Sequence, residues 1–351
     1  MRQIGLITSG GTGPELSRVF RLAAETFAQL QGEPVVLAEC PHAFRSFTEL
    51  RGLTPAECAR IVERDLEELA CFYRGFYAAG GRFIFRTAVN AETLYALRRH
   101  LEAIKISHAS LNRRRVTFVR DQHQGFYACD SWRGREDVID FQGSFHKVKL
   151  RRIHDYAAAE ASAWLGSDAE TWFVYKHHLF ANNIVSWVSE ICPRAVVLQP
   201  GMAFAKLSGL GEAGSRRPLL LIAGNEIGDL LQEVFTDQTG LHRETACARN
   251  IYLHPDVEGL VEYQTVHGSA DDLAGQQRVN PVATLRAAAE LFDRYLGLAG
   301  IGDALEKAIA SGFESGLLHS ATRMAQPTDE TAARIVESAA GFCRLSAAAT
   351  A

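Results

Sequence analysis

No charge of one sign dominates this sequence. Its 351 residues carry 37 Lys and Arg against 41 Asp and Glu, a formal net charge of −4, so the positive field that condenses on a phosphate backbone is missing and no nucleic-acid partner is expected. Cysteine is sparse and scattered: the seven, at positions 40, 58, 71, 129, 192, 247 and 343, include no C-x-x-C pair. That spacing spells out neither a disulfide framework nor a zinc knuckle, and reduced thiols are expected. No window reaches eighteen apolar residues, and Met1 to Ile7 runs into an apolar strand without a basic stretch and a cleavable apolar segment. A cytoplasmic protein with no membrane contact is the expectation. Proline is scarce (10 residues), and there is no internal repeat and no linker long enough to part independent domains. What remains is an ordinary globular composition, 47% hydrophobic and 22% charged, with room for one large α/β domain or two modest ones.

The patterning alternates strands and helices. Residues 3–8 read as a strand, and the turn Ser9-Gly10-Gly11-Thr12-Gly13-Pro14 breaks it before Leu16, Val19, Phe20 and Ala23 resume at helical spacing. Val35 to Leu37 is a second strand, Thr54 with Glu57 a capping box opening a helix to about residue 70, and Arg82 to Phe85 another strand. A helix over 91–103 and a β-rich run from Arg115 to Val119 follow. The next cycle has helices near 155–165 and 180–191, strands at 171–175 and 195–198, a glycine-containing loop at 209–217 and a buried strand at 218–223. Helices over Pro281–Leu298 and 303–313 precede a small-residue tail that should fray after Ser346.

Five segments carry chemistry. Val266-His267-Gly268-Ser269-Ala270-Asp271-Asp272, with Asn280-Pro281 opening a helix, lets backbone approach a planar ligand, offers an imidazole to lie against it, and supplies a carboxylate suited to two ribose hydroxyls. Arg120 and Tyr127 stand seven residues apart around Gly125; an arginine fork grips a carboxylate and a phenol can protonate a carbanion or enol. Lys176 follows a predicted strand in Val174-Tyr175-Lys176-His177-His178. Adjacent histidines on a strand face opposite ways, so His177 and His178 do not easily share one metal. In Asn225-Glu226-Ile227-Gly228-Asp229-Leu230-Leu231-Gln232-Glu233, Asp229 and Glu233 at i and i+4 stack hard oxygen ligands on one helix face, although a solvated acidic face has the same spacing. Arg98 lies in Leu97-Arg98-Arg99-His100-Leu101-Glu102.

Taken in order from about residue 4 to 300, these segments resemble the isocitrate/isopropylmalate dehydrogenase family. The resemblance implies an α/β fold of two domains around a mixed sheet, not a standard Rossmann domain. The first domain would combine 1–103 with 241–351, and the second would be 104–240. It implies NAD held by His267, Gly268, Ser269, Ala270, Asp272 and Asn280, and Mg²⁺ or Mn²⁺ on Asp229 and Glu233. Arg98 and Arg120 would hold substrate carboxylates, Lys176 would accept the hydroxyl proton, and Tyr127 would protonate the enol. The implied reaction is oxidation, with decarboxylation, of a malate-like (2R)-hydroxy acid in a homodimer with shared active sites. Three departures stand out: Gly10 replaces the usual acidic residue of the opening turn, His108 takes the place of a second substrate arginine, and no third metal aspartate lies near Leu198 to Met202. They point to a changed substrate. A non-catalytic relative, and a non-decarboxylating dehydrogenase similar to the hydroxythreonine-phosphate branch with His177 or His178 on a metal, are the alternatives.

Overall fold

The computed structural model describes residues 2–111, 114–135, 138–208, 217–239, 246–265, 268–318 and 326–350. In chain order the elements are β1 (Arg2–Ile7), α1 (Gly13–Gln31), β2 (Val35–Glu39), α2 (Phe47–Leu50), α3 (Pro55–Ala78), β3 (Phe83–Arg86), α4 (Ala91–His100), β4 (Ala103–Leu111) and β5 (Arg114–Asp121). Next come β6 (Asp130–Arg135), β7 (Val138–Gln142), α5 (Lys147–Leu165), β8 (Glu170–Val174), α6 (Asn183–Ile191), β9 (Val196–Leu198), α7 (Pro200–Ser208), β10 (Leu219–Ala223) and α8 (Asn225–Thr239). The chain ends with β11 (Cys247–Tyr252), β12 (Leu260–Thr265), α9 (Val282–Leu291), α10 (Ile301–Glu314) and α11 (Thr328–Thr350). Among the described residues no helix is long and apolar enough to cross a membrane.

Two compact units emerge: Met1–Leu94 with His242–Arg249 and Gly259–Ala351, and Tyr95–Leu241 with Asn250–Glu258. The first change of unit, Leu94/Tyr95, falls inside α4 and not at the expected 103/104; the second, at 241/242, lies one residue from the expected 240/241, and Asn250–Glu258 then returns to the second unit from within β11.

In the first unit, β2, β1, β3 and β12 lie side by side and parallel. The apolar stripe Leu16, Val19, Phe20, Ala23, Ala24 and Phe27 of α1 is buried, as its i, i+3, i+4 spacing requires. The Phe20 ring stacks on Phe85 of β3 at 4.2 Å, and Phe27 meets Phe292 edge-on at 5.6 Å. The capping box at Thr54 and Glu57 forms as expected and starts α3. Two readings of the C-terminal region change. The helix expected to reach Leu298 turns to a wider π-type turn at Phe292–Leu296 and is stopped by Gly297 at φ 83°, a left-handed conformation natural to glycine. The tail expected to fray is helical to Thr350, because alanine is the strongest helix former.

In the second unit the strand order is β4-β5-β10-β8-β9. β5, β10, β8 and β9 are parallel, and β4 is antiparallel to β5, which makes the sheet mixed. Strand alternation sorts the two faces. Val116, Phe118, Trp172, Val174, Leu219 and Leu221 pack with Leu207 of α7 and with Leu231 and Phe235 of α8. The other face meets α5, where His154 stacks on Phe173 at 5.9 Å.

Candidate active site

The parallel strands of the second unit end level with one another. Ala223, the last residue of β10, is in register with Arg120 of β5 and with Val174, the last residue of β8. The residues leaving this edge are therefore Arg120-Asp121, Gly224-Asn225-Glu226 and Tyr175-Lys176. The chain also changes direction here: β8 leads to β9 on one side, and β10 returns to the other side of β8. A carboxyl edge at such a switch point is where open α/β sheets bind ligands.

Arg120 is buried, and its fork is fixed. Nε donates to Asn225 Oδ1 at 3.0 Å, and Nη1 donates to Asp229 Oδ1. The helix was read from sequence as two metal carboxylates; in the fold, Asn225, Gly228 and Asp229 at i, i+3 and i+4 form a cradle for the arginine. A Cβ on Gly228 would stand 2.8 Å from Arg120 Cγ, so the absent side chain is what admits the arginine stem. Arg120 is 5% exposed, whereas the Asp229 side chain is 46% exposed. Glu233, one turn further, is exposed. Among the described residues no group of three His, Cys, Asp or Glu side chains is placed to hold a metal. Asp229 and Glu233 remain a pair of hard oxygen donors on one helix face, which suits an ion that takes one or two carboxylates and completes its shell with water and substrate oxygens.

The polar run after β5 is buried and ordered by Asp121. Its Oδ1 accepts the backbone N–H of His123 and of Gln124 at 3.1 Å each, and its Oδ2 accepts from Gln124 Nε2 at 2.9 Å. Beside it the Tyr175 phenol is buried, with the lack of a side chain at Gly224 making room for its ring. Burial, reinforced by the Asp121 and Glu226 carboxylates, pushes this phenol well above its ordinary pKa. Neither Asn225 nor Tyr175 was singled out from sequence. Both sat inside quoted motifs, and only the register shows that they meet Arg120 at one edge.

The other expected residues fall as follows. Lys176 is exposed at the end of β8. His177 and His178 lie in a short 3₁₀ turn and not in a strand, their rings edge to face at 4.6 Å. Arg98 on α4 is buried beside the Tyr95 ring, with Cζ 5.8 Å from its centroid. The Tyr127 side chain lies outside the described residues. His108 is not brought to Arg120: it pairs with Thr117, three residues before Arg120, so alternation puts it on the opposite sheet face. There its Nδ1 lies 2.8 Å from Thr117 Oγ1, against Trp164 of α5.

In the first unit the glycine turn sits at the carboxyl end of β1 and closes on the predicted cofactor loop. Thr12 N and Oγ1 both donate to Ser269 O at 2.9 Å. Gly11 has φ 64°, and a Cβ there would lie 2.5 Å from the same oxygen; only glycine satisfies both demands. A Cβ on Gly10 would meet Glu49 Oε2 at 2.3 Å, so a carboxylate from α2 fills the space beside the turn residue whose own acid is missing. Glu49 is held there by the capping box with Ser46. Asp271, not Asp272, turns inward and accepts from Ser46 Oγ and Ser269 Oγ. Burial acts to raise the Asp271 carboxyl, and hydrogen bonds from Ser269, Ser46 and Thr48 more than offset it, leaving it below its ordinary value. Asp272 is exposed, and among the described residues a Cβ at Gly268 would meet nothing within 4 Å. Asn280 Oδ1 accepts from Val282 N at 2.9 Å, just before α9 begins. His267 lies outside the described residues. A search for S-x-x-E as well as T-x-x-E capping boxes would have found Ser46 and Glu49.

Solved structures show the fold. An isocitrate dehydrogenase from Methylococcus capsulatus superposes with TM-score 0.65 over 97% of this chain and 100% of that one, at 16% identity. The TT0538 protein from Thermus thermophilus superposes with TM-score 0.68 over 96% of this chain and 68% of that one, also at 16% identity. The class is thus a mixed α/β fold shared with isocitrate dehydrogenase structures. In sequence, residues 221–332 match the isocitrate/isopropylmalate dehydrogenase family. The 3-isopropylmalate dehydrogenase of Saccharophagus degradans is 36% identical over 98 residues, 28% of this chain and 26% of that one. That of Chlorobaculum tepidum is 30% identical over 124 residues, 33% of each. The matches to these curated relatives span about a quarter to a third of their length. The resemblance to the isocitrate/isopropylmalate dehydrogenase family is borne out by sequence over a segment holding both the Asn225–Glu233 helix and the Ser269–Asn280 loop; over nearly all of the chain the solved structures share the fold.

Proposed function

We propose that the protein is an NAD-dependent dehydrogenase that oxidises a malate-like (2R)-hydroxy acid with help from Mg²⁺ or Mn²⁺, loses CO₂ from the product, and works as a homodimer with shared sites. The observation that carries this reading is Arg120, fixed by Asn225 and Asp229 at the carboxyl edge that also presents Lys176. A guanidinium fixed through two nitrogens offers its plane in one orientation, so with Arg98 it positions substrate carboxylates before reaction. Lys176 Nζ accepts the proton of the substrate hydroxyl, and the Tyr127 phenol returns a proton to the enol carbon. Asp229 and Glu233 would hold the cation. Gly268, Ser269, Ala270, Asp272 and Asn280, with His267, would hold the adenosine half of NAD, the exposed Asp272 carboxylate suiting two ribose hydroxyls and repelling a phosphate. When bound, the nucleotide takes up hydride and the cation polarises the new carbonyl. With His108 on the far face, the substrate has fewer acidic groups to hold, which supports a specificity unlike that of the named relatives.

The test is calorimetric titration of NAD and NADP, with Mn²⁺ present, into the protein and into Asp272→Ala. NAD should bind at least about tenfold more tightly than NADP, and the variant should lose that preference. If neither nucleotide binds, the dehydrogenase reading fails.

A further inference from the structure

The second unit contains a cavity of about 570 Å³ that none of the roles above uses. This is within the range of small-molecule sites, roughly 300–1,000 Å³. Its walls are the rings of Phe126, Phe141, Phe145, Phe180 and Trp187, and Glu226 is its one charged lining residue among the described side chains. The rings form two pairs: Phe126 meets Phe141 edge-on at 4.8 Å, and Phe145 meets Phe180 at 4.6 Å. Phe126 is 51% exposed and Phe141 58%, so aromatic surface is kept in water at the mouth. Glu226 is half-buried in the first turn of α8, with Oε2 accepting the Phe126 N–H at 3.2 Å. Gly125, at φ 90°, keeps that approach open, since a Cβ there would lie 2.9 Å from the same oxygen.

Ring faces are negative and attract cations, most strongly when water is excluded. A carboxylate among them adds charge of the same sign, and no described lining residue opposes it. A negatively charged or zwitterionic ligand would be repelled, and a neutral hydrocarbon would leave Glu226 without a counter-charge. We propose that this cavity recognises an organic ammonium group carried on an apolar body, with Glu226 as the counter-ion and the Phe126, Phe145 and Trp187 rings as the cation-binding wall. The assignment rests on the cavity's own residues and stands or falls separately from the dehydrogenase reading. No covalent step is involved.

The experiment titrates benzyltrimethylammonium, and its neutral isostere neopentylbenzene, into the full chain by calorimetry, with tryptophan fluorescence as a second readout. The cation should bind at least about tenfold more tightly than the isostere. Glu226→Gln should bring the two within about threefold by weakening the cation alone, and Trp187→Phe should abolish the fluorescence change while keeping binding. Phe141→Leu, at an exposed position, serves as a second variant should Glu226→Gln fail to fold; it should weaken the cation more than the isostere. Equal affinity for the two probes overturns the proposal. So does cation affinity unchanged in Glu226→Gln. Absence of binding by both probes also overturns it.

Discussion

Each unit holds an arginine at the carboxyl end of a parallel strand, paired with a carboxylate, and the two pairs have opposite characters. In the first unit Arg86 ends β3 and meets Glu262 of β12 at 2.9 Å, with the two side chains 1% and 0% exposed. Tyr73 OH donates to the other Glu262 oxygen, Arg86 Nη1 donates to Thr87 O at 2.8 Å, and Nη2 also reaches Gln264. In the second unit Arg120 is as deeply placed, but Asp229 stands half in water. The first pair is closed on all sides by protein and can only hold β3 to β12. The second offers a carboxylate face that an ion or a substrate can reach. Burial of the partner, not of the arginine, separates scaffold from site.

The largest expected effect tests the closed pair. Glu262→Gln takes the Glu262 counter-charge from the buried Arg86, which costs about 3–5 kcal/mol, read as a fall in the urea midpoint at unchanged slope. Asp229→Asn should cost less, about 1–2 kcal/mol by the same measurement, because Arg120 is as buried but its half-solvated partner is screened by water, while NADH formation falls by about a hundredfold or more. Equal stability losses in the two variants would erase the distinction. Gly228→Ala comes next. Its Cβ would stand 2.8 Å from Arg120 Cγ, near the root of the side chain where the arginine has little freedom to yield, so about 1–3 kcal/mol of stability should go. Activity should fall with it, and unchanged kinetics would show that the cradle does not position Arg120.

How much of this was open to a reader of the sequence depends on the range of the contact. The capping box at Thr54, the strands around Phe85 and Leu221, and the glycine turn are local, fixed by spacing within a few residues, and all were legible. The turn's partner was not: Ser269 lies 257 residues from Thr12, and nothing in Gly10–Gly13 names it. The helix Asn225–Glu233 was legible as a helix, and its carboxylates as a pair. Its use as a clamp on Arg120 was hidden, because that depends on β5 lying beside β10. His108 teaches the same point. Its distance along the chain from Arg98 made it a substitute for an arginine, and only the β4–β5 register shows it on the other face. The buried polar run from Asp121 to Gln124 defeats hydropathy altogether, since the Asp121 carboxylate, Asn250 and the Ala103 carbonyl supply the hydrogen bonds that let those residues leave water.

Acid sharpens the comparison at the proposed cofactor loop. The Asp271 carboxyl is held below its ordinary value, so it contributes stability that is present above about pH 3.9, the unfolded value, and is lost as pH falls through the lower folded value. Asp271→Asn should therefore flatten the acid limb of a stability-against-pH curve. At neutral pH it should cost only about 0.5–1 kcal/mol, the worth of hydroxyl bonds half open to water.

Alkali probes the smallest difference, because each unit also buries one phenol whose pKa is raised well above normal. Tyr175 is raised by burial and then by the Asp121 and Glu226 carboxylates, and Tyr263 by burial and then by Glu290. An unfolded chain loses these protons near pH 10, so folding above that pH must take them up again. The stability is complete below pH 10 and declines as pH rises toward the folded values. Tyr175→Phe and Tyr263→Phe should each remove part of that decline. At pH 7 Tyr263→Phe should be close to neutral in stability, since among the described residues its hydroxyl has no hydrogen-bond partner to lose, and Tyr175→Phe should cost at most about 1 kcal/mol, the worth of a bond to the Asp121 carboxylate. The two variants part company in the chemistry: Tyr175 stands at the edge that carries Arg120 and Lys176, so its loss should alter the pH profile of kcat/KM, while loss of Tyr263 should leave that profile where it was. Profiles that move equally in both variants would show that alkaline behaviour belongs to the whole fold and not to the second unit's edge.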